Sequence, residues 1–110
     1  MFDAHNNLWV INDISSDKLN AGIYSSFKNN EAFVMPAGID GGVSGGDVFQ
    51  FASGPVQAEL TGPACTPDGQ TPFLAIQHPG EESEDPNNPT STWPSGDEPK
   101  SSVIAITGFA

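Results

Sequence analysis

Apolar residues along this chain fall in short runs, each closed by Asn, Asp, Gly or Pro, and the runs read as β-strands. Leu8-Trp9-Val10-Ile11 predicts a strand buried on both faces, entered through a turn at Asn6-Asn7 and closed by Asn12-Asp13. Residues 14–20 predict a loop, and Ala21 to Phe27 a short strand. Lys28-Asn29-Asn30 is a turn signal that feeds a strand from Glu31 to Met35; Pro36 stops it, having no N–H for the ladder. Val48 to Ala52 follows as a strand and Ser53-Gly54-Pro55 as a turn. Val56 to Leu60 alternates, with Val56, Ala58 and Leu60 on one face and Gln57 and Glu59 on the other. Thr61-Gly62-Pro63 bends the chain. At Thr66-Pro67-Asp68-Gly69 proline presets φ and glycine accepts a positive φ, so a tight turn is expected. Phe73 to Ile76 is the return strand, and Ser102 to Thr107 closes the chain.

Together these runs predict an all-β fold of antiparallel sheets with long loops, with one sheet unit in residues 1–54 and a second in 55–110. Residues 38–47, GIDGGVSGGD, predict a mobile connection; a single irregular copy of a glycine-and-aspartate calcium repeat is the other reading. The stretch 78–101 is a long acidic loop with one large apolar residue, Trp93, which is expected to dock. FDAHNNLWVIND (2–13) aligns without gaps to TPDGQTPFLAIQ (66–77), and repeated sheet units at a fixed period are a sign of propellers and other β arrays.

Charge narrows the partners. The formal net charge is −11, from 14 carboxylates against 3 lysines that stand far apart, at Lys18, Lys28 and Lys100. Such a surface repels phosphate backbones and anionic membranes, so neither nucleic acid nor a membrane is an expected partner. It suits divalent cations, which take carboxylate and carbonyl oxygens, and serves solubility equally well. The lone Cys65 allows no internal disulfide and reads as a small buried apolar residue. No run is long enough to cross a membrane as a helix, and the start lacks the pattern of a signal peptide.

The polar residues with chemical potential gather at the outer ends of the 56–81 unit. Glu59 and Thr61 stand at one end, and Gln77, His78 and Glu81 at the other. Glu59 reads either as an oxygen ligand for a hard cation in a sheet-end cleft or as an exposed glutamate on an edge strand. His78, at a strand end before Pro79-Gly80-Glu81, suits a ligand, a general acid-base, or a hydrogen-bonded structural role. Asp13 is a ligand or a turn former. His5 sits in a turn and is expected to be solvated.

The block AELTGPACTPDGQTPFLAIQHPGE resembles the hallmark segment near the C-terminus of the PhoX-type bacterial alkaline phosphatases, which carry a similar run ending in I-Q-H-P-G-E. FDAHNNLWVIND is similar to the family's turn-and-strand segment with L-W, and STWPSGDEPKSSVIAIT resembles its closing W-P, turn and strand. The resemblance implies a β-propeller whose channel holds the active site. It also implies hydrolysis of phosphate monoesters, calcium and iron as cofactors, and export to the periplasm or beyond. This chain would be the last part of such an enzyme, blade-like and inactive alone. Glu59 matches the Glu of A-E-x-T-G-P, and His78 and Glu81 match H-P-G-E. The resemblance thus makes Glu59 and Glu81 candidate metal residues and His78 a candidate catalytic one. The family's iron-bridging cysteine lies far upstream, so Cys65 does not take that role. Pro72 stands where the family tends to have an aliphatic residue and Lys100 where it often has Arg; Pro72 in a strand predicts an edge or a bulge. Open blade edges would allow self-association. The competing expectation is a non-enzymatic acidic β-module that binds calcium or a protein partner.

Overall fold

The computed structural model describes residues 1–108 apart from 39 and 41–45, so the glycine-rich connection falls largely outside the described residues. The described residues form six strands: β1 (Leu8–Ile11), β2 (Glu31–Met35), β3 (Phe49–Ser53), β4 (Glu59–Cys65), β5 (Pro72–Gln77) and β6 (Ser102–Ala105). They make two antiparallel three-stranded sheets, ordered β1-β2-β3 and β4-β5-β6. The fold is all-β and antiparallel, as the run pattern predicts. A single core joins the sheets. Ala32 of β2 is buried together with Ala58, Leu60, Leu74 and Ile76, and Ile11, Phe51, Trp93, Ile104 and Ile106 pack around them.

Several local expectations give way to tertiary contacts. Ala21 to Phe27 is not a strand: Asn20 and Gly22 have φ of 63° and 53°, and Gly22–Tyr24 is a 3-10 turn closed by bonds from Tyr24 N–H to Ala21 O and from Ser25 N–H to Gly22 O. Positive φ cannot be fitted into extended backbone. Val56 to Leu60 is not strand throughout. Gln57 has φ 54°, the ladder begins at Glu59, and Val56 is exposed while Ala58 and Leu60 are buried. The bend expected at Thr61-Gly62-Pro63 lies inside β4, not beyond a strand. The pairing with β5 skips from Thr61↔Ala75 to Ala64↔Phe73, so one extra residue is absorbed as a bulge, with Gly62 at φ 60°. The turn at 66–69 forms as expected, with Gly69 at φ 71° donating to Thr66 O.

β1 lies at the edge of its sheet, so Val10 is 39% exposed and the strand is not buried on both faces. Pro72 sits neither on an edge strand nor at a bulge. It is the buried first residue of the central strand β5, paired with Cys65, and its carbonyl accepts from Ile106 N–H at 2.9 Å. A strand's first position tolerates proline because its missing N–H breaks no inner rung. The 2–13 and 66–77 segments occupy different places: β1 is an edge strand and β5 a central one. Residues 78–101 hold no strand or helix, yet the loop is anchored, since Trp93 packs on the core and its Nε1–H donates to Ser102 Oγ at 2.9 Å.

Candidate functional site

Antiparallel pairing brings the two outer ends of the central unit together. Glu59, the first residue of β4, lies opposite Gln77, the last residue of β5, so His78 follows directly beside it. His78 has φ 47° and Gly80 φ 71°, which turn the chain back over the start of β4. There Gly80 N–H donates to Val56 O at 3.0 Å and Glu81 N–H to Gln57 O at 3.4 Å, so Glu81 returns to the neighbourhood of Glu59. Gly80 is buried, and a Cβ on it would lie 3.2 Å from the Ser91 backbone and from Ser83 Oγ; only glycine makes this turn without displacing the loop.

The fourth member arrives from the other sheet. Past β1, Asn12 exchanges bonds with Glu31: its N–H donates to Glu31 O, and its Oδ1 accepts from Glu31 N–H. The buried Asn30 then grips Ile14. Its Oδ1 accepts from Ile14 N–H and its Nδ2 donates to Ile14 O, both at 2.8 Å. The same Nδ2 donates to Ala58 O at 2.8 Å, and Ser16 Oγ donates to Gln57 O at 3.2 Å. Asp13, next to Ile14, is thereby carried to Glu59, next to Ala58.

The electrostatics register this convergence. Partial burial pushes the Glu59 carboxyl above the ordinary value, the Asp13 and Glu81 carboxylates push it further, and His78 pulls it partly back; a hydrogen bond with Asp13 also favours the protonated form. No lysine relieves the repulsion, since the ion pair among the described residues is Lys18 with Asp17, on the surface. A carboxyl pushed upward by its neighbours thus stands close to the exposed imidazole of His78.

Of the residues singled out from the sequence, Glu59, His78 and Glu81 meet, with Gln77 paired to Glu59 and Asp13 joining them. Thr61 lies further along β4, opposite Ala75. Cys65 stands at the far end of β4, opposite Pro72 and away from the cluster. His5 is exposed by the 66–69 turn, at the same far end. No pattern in the sequence marks Asn30 or Gln57 as a site builder. The only signal for Asn30 was the Asn-Asn pair before β2, which reads as a turn. Among the described residues no three of His, Cys, Asp and Glu are placed to hold a metal ion, so this cluster falls short of the oxygen shell a calcium ion takes. An open cleft of about 390 Å³ lies elsewhere, inside the acidic loop, lined by Asn87, Asn88, Thr92, Asp97 and Glu98 among others; it contains none of the cluster.

Comparison with known proteins bears on this geometry. The family model described as alkaline phosphatase PhoX matches residues 1–80. The solved structure of Pseudomonas fluorescens PhoX in complex with vanadate, a transition state analogue, is 33% identical over 97% of this chain, with a TM-score of 0.73. The chain spans 17% of that protein's length. No match was found among curated proteins.

Proposed function

The chain belongs to the PhoX alkaline phosphatase family, and from that premise we propose that it is a propeller segment of a phosphatase that hydrolyses phosphate monoesters, with Glu59, His78 and Glu81 at the edge of the active site. The observation that carries the reading is the convergence of these three with Asp13, on a segment of 33% identity to a phosphatase solved with a transition-state analogue. His78 is the proton carrier in this reading, exposed at the strand end. Glu59 and Asp13 form the carboxyl pair beside it, and Glu81 adds negative charge from the loop.

Calcium and iron belong to the proposal for the whole enzyme only. The donors in this chain do not complete a cation site among the described residues, and the isolated chain is proposed to be inactive. Export to the periplasm or beyond is proposed on the resemblance. Among the described residues no helix is long and apolar enough to cross a membrane.

The test uses a full-length phosphatase carrying this segment, metal-loaded, with a chromogenic phosphate monoester. Glu59→Gln and His78→Asn should each lower kcat/KM, His78→Asn by about 100-fold or more, the scale of a lost general acid-base. Glu82→Gln, at the exposed neighbour of Glu81, should leave it unchanged. Unchanged kcat/KM in both of the first two variants sinks the site assignment. Turnover by the isolated chain sinks the claim of inactivity.

A further inference from the structure

We propose that Asn30 is a positioning residue for the acidic cluster: its buried carboxamide ties the segment after β1 to the start of β4, and so places Asp13 against Glu59. Asn30 is fully buried, at 0% exposure, and is one of the two largest side chains buried to that degree. An amide is costly to bury unless its polar atoms are bonded, and an apolar residue would fill the same space without that cost. What an apolar residue could not do is bond the main chain here. The carboxamide serves three groups, Ile14 N–H, Ile14 O and Ala58 O, each at 2.8 Å. The main-chain carbonyl of Asn30 serves a fourth, Gly54 N–H at 2.7 Å.

The placement of those groups gives the inference its direction. Ile14 adjoins Asp13, and Ala58 adjoins Glu59. Neither Ile14 nor Ala58 belongs to a strand, so no ladder fixes them. The two segments are 16 and 28 residues from Asn30 and lie beside different sheets. Ser16 Oγ adds a bond across the same seam, to Gln57 O at 3.2 Å, but it is the Asn30 carboxamide that bonds both residues adjoining the carboxyl pair. Gly54 is part of the same device, because a Cβ there would come within 3.1 Å of both Asn30 O and Leu60 Cδ2. Glu81 is held separately, through Gln57 O. Glu81 thus hangs on the residue before Ala58 and on no atom of the Asn30 side chain.

The inference takes its catalytic meaning from the phosphatase reading, but its test involves no turnover, so either can fail without the other. In the ¹³C-labelled chain at one fixed pH, Asp13→Asn and Glu81→Gln should each shift the Glu59 side-chain carboxyl resonance. In an Asn30→Ala background the response to Asp13→Asn should fall by about tenfold or more, as a released segment moves away. The response to Glu81→Gln should persist. Leu74→Ala, which weakens the shared core but removes no hydrogen bond of Asn30, should keep both. A retained Asp13 response, or loss of both responses together, overturns the proposal. Should Asn30→Ala fail to fold, the unmodified chain decides: both Asn30 Nδ2 protons should exchange with solvent at least about tenfold more slowly than those of the exposed Asn87 and Asn88. Equal exchange overturns it.

Discussion

Glu59 ionises against partial burial first, then against the Asp13 and Glu81 carboxylates, with His78 in partial opposition. Its folded pKa lies above the ordinary 4.5, so the folded chain holds this proton more tightly than the unfolded one. The stabilisation from that is fully present below the unfolded value and is lost as pH rises through the raised folded value. Asp3 acts in the opposite sense. Burial pushes its carboxyl up, but bonds from Trp9 Nε1, Asn7 Nδ2 and the main-chain N–H groups of His5 and Asn7 outweigh burial and hold it below 3.8. That contribution is present above the ordinary value and is lost as pH falls. The melting curve of the unmodified chain mixes the two, and a difference curve separates them. Glu59→Gln should melt close to the unmodified chain below pH 4.5, where both side chains are neutral, and progressively higher as pH rises above it. Thermal melts of the pair across that range are the measurement; a constant offset at every pH would contradict the assigned environment of Glu59.

At the level of elements, local punctuation was readable and non-local bonding was not. β2 matches its expectation residue for residue, Glu31–Met35, because a turn signal precedes it and Pro36 follows it. β4 begins at Glu59 rather than at Val56 because the carbonyls of Val56 and Gln57 are taken by the N–H groups of Gly80 and Glu81. Alternation in sequence cannot report that. Ala21 to Phe27 has the aromatic content of a strand, but among the described residues no strand pairs with it, and Ile23 is left 86% exposed. Within the site, Glu59, His78 and Glu81 were legible from one hairpin and its pairing. Asp13 stood open between ligand and turn former, and Asn30 was hidden, since their roles come from bonds across the seam between sheets. The acidic loop tests how far anchoring compensates for missing secondary structure. Trp93 is half-buried on the core, bonds Ser102 through Nε1, and accepts from Lys100 N–H at 2.9 Å. Trp93→Ala should cost about 2 kcal/mol, below the roughly 3–5 kcal/mol of a fully buried aromatic. It should also open residues 82–99 to protease at conditions where the fold is intact. Leu74→Ala, losing comparable stability, should not cut preferentially there; identical cleavage patterns in the two variants would deny the loop its anchor.

Taken whole, the molecule is a slab of 52 × 31 × 17 Å with a radius of gyration of 15.5 Å, against about 13 Å for a compact chain of this length. Two sheets share one core at their seam, and apolar residues such as Val103, 73% exposed, remain on the outside. A net charge of −11 is spread over this thin body. The attraction set against it is small, because the ion pair among the described residues, Lys18–Asp17, is exposed on both sides, and such pairs contribute about 1 kcal/mol at most. Screening therefore removes much repulsion and little attraction. Raising ionic strength from about 0.01 M to about 0.15 M shortens the Debye length from about 30 Å to about 8 Å, and the melting temperature should rise with it. The identity of the cation separates the two functional expectations. With no three-donor group among the described residues, calcium and magnesium at matched ionic strength should raise the melting temperature by the same amount. A saturable increment specific to calcium requires differential binding to the folded chain. It would make this segment calcium-binding in its own right.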